Sequence, residues 1–341
     1  MTIDTERVRR HIRAALTSLP LLACAAEPAS SAEITQRIAP PVGAQLAPLP
    51  VEPADSARSA RAPRTRAIEA PHAGTDEARA VEIRHAERRK HPPRAVSGRP
   101  LRVDGRDVIA HLRRVDATPS GAVLGLELEP ALRERAAAEW LRDARMEHAS
   151  VASFERAHAE LQAHDAPEAI LAAVRRAARD EVVHTSLCLA MAWRYGGPAL
   201  APGPLAPVAP RGGALAALAA DVFEEGCVGE TFAATVAGTG ARRCAPAEPR
   251  AILTRIAEEE SAHAALAWAT LRWALARDPS AADAVAARAA ALAPTAPPRT
   301  VPPPGPLAAH GRLDPGELGR AYATCWSELV APLLAETLGR A

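Results

Sequence analysis

Four stretches between Pro130 and Asp278 place apolar residues at alternating steps of three and four, and each breaks its stripe with a carboxylate. The first stripe contains Trp140, Ala144, Glu147, Val151, Phe154, His158 and Leu161. The second, starting near Pro167, contains Ile170, Val174, Glu181, His184, Cys188 and Met191. The third runs from about Ala214 to Ala237 with Phe223, Gly226, Glu230 and Ala233 on one face. The fourth runs from about Pro249 to Arg277 with Leu253, Ile256, Glu260, His263 and Ala267. That period puts each set along one side of a helix, and four such sides form the seams of a four-helix bundle. A carboxylate in an apolar seam is costly unless something neutralises it. Two divalent cations balance Glu147, Glu181, Glu230 and Glu260, and His184 and His263 complete a ligand set.

Two of these seams carry Glu-x-x-His. The spacing puts the carboxylate and the imidazole on one helical face, one turn apart. A hard carboxylate beside a neutral imidazole suits iron or manganese. The chain holds five such tetrads. Glu69/His72 encloses Pro71, Glu82/His85 lies in an Arg-rich stretch without a stripe, and Glu155/His158 does not turn both groups to the apolar side. Only Glu181/His184 and Glu260/His263 do so on long apolar helices. Among neighbouring groups, His148 is the alternative ligand beside Glu147, although it points about 100° away. Glu224 is the substitute if Glu230 fails. Glu224, Glu225 and Glu258 read as solvated, and His158 reads as a hydrogen-bonded core residue. Gly226 and Gly229 imply a close helix approach or a local bulge beside Glu230.

The order lone Glu, Glu-x-x-His, lone Glu, Glu-x-x-His, at intervals of 34, 49 and 30 residues, resembles the ferritin-like di-iron carboxylate superfamily. That superfamily includes rubrerythrin, bacterioferritin and the bacterial multicomponent monooxygenases. The resemblance covers roughly residues 130–278. It implies two iron ions, with manganese as the alternative, bridged by one Glu from each half, and oxidoreductase chemistry with oxygen or peroxide. Asp180 and Glu259 precede the two motif carboxylates. A ligand His commonly donates its second ring N–H to a carboxylate, so Asp180 is expected at His263 and Glu259 at His184. The resemblance points the same way, and the plainer reading is a pair of surface acids. The sequence also departs from that superfamily. It has no CxxC pair for a rubredoxin-type centre, so electrons would come from an unknown donor. Val183 and Ala262 stand where an Arg often precedes the motif His. Tyr195 lies about 16 Å along the helix from His184, which argues against a tyrosyl-radical subunit. A non-catalytic iron-handling protein and a metal-free helical bundle are the competing readings.

The expected fold is all-α: a ferritin-like bundle over 130–278, a small β hairpin lead-in over 99–129, and C-terminal helices over 279–341 behind a Pro-rich connector. Asp104-Gly105 marks the hairpin turn, and residues 121–128 read as a third strand or an extended arm. Hydrophobic residues make up 48% of the chain and aromatics 3%, which favours closely spaced helices with small side chains. The net charge of +1 gives no field for nucleic acid. Residues 1–24 combine a basic start with a short apolar run ending in Leu-Leu-Ala-Cys24. This reads as a secretory leader with a lipidation site at Cys24, hence a membrane tether in the cell envelope. A frayed amphipathic N-terminus is the other reading. Residues 25–98, rich in Ala, Pro, Ser and Arg, read as a disordered linker. The final helix, 314–341, is expected to dock on the bundle or on a second subunit in a homodimer.

Overall fold

The computed structural model describes residues 5–18, 98–99, 101–103, 106–116, 123–205, 207–294 and 304–339. These residues are predominantly helical. Helix α1 is Thr5–Ser18. Helices α2 (Pro130–Ala163) and α3 (Glu168–Arg194) form one antiparallel pair. Pro130 opens α2, where its missing N–H costs nothing. Asp165 supplies the left-handed residue (φ 56°) of the tight connection. The third seam is α4 (Leu215–Asp221), a π-helical turn over Val222–Val228, and α5 (Gly229–Arg243). Helix α6 (Ala247–Arg277) returns along α5 to make the second pair. The two pairs meet where α3 touches α6. The stripe residues named above are buried on all four helices except His158, which is half-buried.

Helix α7 (Ala281–Leu292) packs on α4. After Thr295–Pro303, outside the described residues, the chain continues as α8 (Pro315–Cys325), a π turn at Trp326–Val330 and α9 (Ala331–Leu338). A capping box between Asp314 and Glu317 starts α8. Leu313, Ala321, Cys325, Leu329 and Leu333 join the same core as Phe223 and Trp268, so this segment docks on its own chain.

The lead-in does form a hairpin, β1 (Leu101–Val103) with β2 (Arg106–Val108), and its Asp104-Gly105 turn lies outside the described residues. The expected third strand is absent among the described residues of 121–128. Residues 123–129 are irregular and tied to α3 by Leu124 N–H donating to the Arg194 carbonyl. The second ribbon pairs β3 (Leu112–Arg114) with β4 (Leu200–Pro202), in the connection between α3 and α4. Pairing with a distant strand left no local alternation to detect. At the N-terminus, α1 buries Val8 and Ile12 and packs along α6. Its basic residues form the outer face, with Arg7 paired to Glu258. Cys24 and residues 25–97 lie outside the described residues. No described helix is long and apolar enough to cross a membrane.

Candidate metal centre

Glu147 on α2, Glu181 and His184 on α3, Glu230 on α5, and Glu260 and His263 on α6 converge inside the two helix pairs. All six are buried, and Glu181, His184 and Glu260 have no exposure. They form two overlapping groups whose potential ligand atoms lie within 4.8 Å of one another: Glu147, Glu181, His184 and Glu260, and then Glu230, Glu260 and His263. His184 Nδ1 is 3.6 Å from Glu181 Oε2 and 3.4 Å from Glu260 Oε1. His263 Nδ1 is 3.2 Å from Glu181 Oε1 and 3.8 Å from Glu260 Oε2. The motif carboxylates therefore each present one oxygen to either histidine, whereas Glu147 serves the His184 end and Glu230 the His263 end.

The outward nitrogens are held. His184 Nε2 lies 2.8 Å from Glu259 Oε2, and His263 Nε2 lies 3.3 Å from Asp180 Oδ2. Both acids come from the opposite motif. Glu259 makes the shorter bond, and Arg255 grips it at 3.1 Å. A carboxylate at Nε2 keeps that nitrogen protonated, so Nδ1, which faces Glu181 and Glu260 on both rings, is the nitrogen that would bind a metal.

Nine buried donor or acceptor atoms on these six residues lack a hydrogen bond: one oxygen of Glu147, both of Glu181, Glu230 and Glu260, and Nδ1 of each histidine. Buried polar groups are otherwise nearly always satisfied. Electrostatics follow from this crowding. Burial, then the neighbouring carboxylates, pushes Glu147 and Glu230 well above the usual range. Burial opposes the charged forms of Glu181 and Glu260 too, but contact with both imidazoles holds them below it. Burial would lower both histidines, yet the surrounding carboxylates raise them well above 6.5. Without metal, burial thus favours protons on Glu147 and Glu230, while Glu181 and Glu260 stay charged against the two imidazoles. Four carboxylates, two neutral imidazoles and two divalent cations balance in charge. The residues fit a metal pair by charge, donor type and unsatisfied atoms.

Several neighbouring residues sit differently from their sequence reading. His148 turns away, its Nε2 2.7 Å from the Gly203 carbonyl, so it does not join the cluster. His158 is half-buried beside Arg175 at 2.8 Å rather than in the core. Glu224 is tied up by Arg288 and Arg102, away from Glu230. Glu225 is not solvated: it is 2% exposed and takes Arg211 at 2.9 Å and Arg156 at 3.2 Å. Tyr195 is buried, its hydroxyl 2.8 Å from His310 Nδ1. Gly226 shows both expected features. It lies in the π turn, and a Cβ there would come within 2.6 Å of the Ala267 Cβ.

Sequence reasoning missed Arg99. It is 5% exposed, lies 5.3 Å over the Phe154 ring, and its Nη2 is 3.5 Å from Glu225. Phe154 in turn meets the His263 ring edge-on at 5.4 Å. An Arg flanked by Gly and Pro carries no local signal of such burial. A cleft of about 980 Å³ lies behind α2, between β1, residues 204–211, the π turn and α7, and none of the six cluster residues lines it. Compared with known proteins, the chain matches no family model, no curated protein and no solved structure.

Proposed function

We propose that this chain is a ferritin-like dinuclear metal protein, with iron as the resident pair and manganese as the alternative, that reacts with oxygen or peroxide. The observation carrying this reading is the set of nine unsatisfied atoms on six converging residues. A metal-free bundle would leave these atoms without hydrogen-bond partners, and a buried polar group left unsatisfied is costly. Glu147 and His184 would hold one ion and Glu230 and His263 the other, with Glu181 and Glu260 shared. An iron pair supplies two electrons to an oxidant. The chain's own part is to orient the imidazoles through Asp180 and Glu259, to exclude water from the cluster, and to hold or release protons at Glu147 and Glu230. Electrons for repeated turnover come from an external donor.

The large cleft avoids the cluster, which favours a small oxidant as the reacting partner over a bulky organic molecule. The test is anaerobic loading with ferrous iron, followed by oxygen and by peroxide. Oxidation that repeats on adding reductant supports an enzyme, oxidation in a single cycle supports iron handling, and absence of a metal-dependent spectrum rejects both. An envelope tether through Cys24 would require cleavage before that residue and would take α1 with it. The burial of Val8 and Ile12 favours a chain that keeps residues 5–18. Intact mass of the native protein, with and without labelled palmitate, separates the two.

A further inference from the structure

The two helix pairs close three sides of the cluster. Helices α2 and α3 pack along their length, α5 and α6 do the same, and α3 meets α6 across the middle. Helices α2 and α5, which carry Glu147 and Glu230, have no comparable seam between them. Arg99 occupies this side. Its guanidinium lies over Phe154 of α2, and on the other flank Nη1 is 3.3 Å from where a Gly226 Cβ would stand. Its carbonyl accepts from Ser150 Oγ at 2.7 Å, which fastens the backbone to α2. Gly98, at φ +80°, lies over the cluster itself: a Cβ there would sit 3.5 Å from Glu147 Oε2.

Charge pairing does not explain this placement. Glu225 already has Arg156 and Arg211 at shorter distances than Arg99, and Arg99 Nε has no hydrogen-bond partner among the described residues. What Arg99 provides is bulk between Phe154 of α2 and Gly226 of the π turn.

We infer that Arg99 is a specificity-determining residue that plugs the gap between α2 and the π turn and restricts the metal pair to ligands of two or three heavy atoms, such as dioxygen or hydrogen peroxide. This rests on the metal reading above. Molecules with an aromatic ring are shut out until Arg99 is shortened. Glu225 keeps two arginine partners when Arg99 is removed, so Arg99→Ala leaves no carboxylate unpaired.

The test uses full-length protein loaded with cobalt(II), whose visible bands report ligand entry without any turnover. Azide is the small probe and benzoate the large one, and both are anions, so the ratio of their affinities cancels the lost charge. Wild type should respond to azide and not to benzoate. Arg99→Ala, at unchanged cobalt content, should raise the benzoate-to-azide affinity ratio about tenfold or more, and Arg99→Met, which keeps the bulk, should leave it within about twofold. Wild type that takes up no cobalt overturns the metal reading and the plug with it. Wild type that binds cobalt and responds to benzoate overturns the plug alone, as does an Arg99→Met protein that behaves like Arg99→Ala.

Discussion

His184 turns its two ring nitrogens to opposite tasks: Nε2 meets Glu259 of α6 at 2.8 Å, and Nδ1 faces Glu181 and Glu260. His263 repeats the arrangement with Asp180 of α3. Each motif thus supplies the carboxylate that orients the other motif's imidazole. Removing that carboxylate should weaken metal binding without removing a ligand. Glu259→Gln and Asp180→Asn should each cost roughly 10–100-fold in affinity. Glu259→Gln should cost more, because its bond is shorter. Competition against a chromogenic chelator measures both, and unchanged affinities would make them ordinary surface acids.

Metal uptake should release protons. The metal-free cluster holds carboxyl protons on Glu147 and Glu230 and imidazolium protons on His184 and His263, all four with raised affinity for the proton. A group with a raised folded pKa stabilises the fold below its unfolded pKa and loses that contribution as pH rises through the folded value. Metal-free protein should therefore lose stability as pH rises above the ordinary values of 4.5 for the two glutamates and 6.5 for the two histidines. Metal affinity should climb over the same range, because ions replace protons there. Melting curves with and without metal, and titration calorimetry in buffers of different ionisation enthalpy, test the two signs. Affinity independent of pH would contradict the protonation pattern.

Gly226 has no room for a side chain, its Cβ position being 2.6 Å from the Ala267 Cβ. Gly226→Ala should destabilise by about 1–3 kcal/mol through overpacking. Adding Ala267→Gly should recover much of that loss. Urea denaturation of the two variants gives the comparison. Equal stability of Gly226→Ala and wild type would mean that α6 and the π turn are not in contact.

Helix α1 contributes to the core through Val8 and Ile12, at 2% and 0% exposure. Ile12→Ala should cost about 2–5 kcal/mol, whereas Arg10→Ala on the outer face should cost little. Denaturation midpoints read both.

The seams were legible because the step of three and four is a local property, and the cluster was legible because its six residues are polar groups at apolar positions of that step. Partners distant in sequence were not. Glu225 looks solvated beside Glu224, but the π turn rotates it towards Arg156 and Arg211, which lie 69 and 14 residues away. Pairing of Leu112–Arg114 with Leu200–Pro202 depends on α2 and α3 bringing their ends together.

Metal stoichiometry tests the central claim most directly. Protein loaded anaerobically with ferrous iron, desalted and analysed by mass spectrometry of the metal, should carry two ions per chain. Glu260→Ala, which removes the carboxylate shared by both groups, should retain neither fully while keeping its helical circular dichroism. Wild type with no bound metal, or Glu260→Ala with two, would contradict the account.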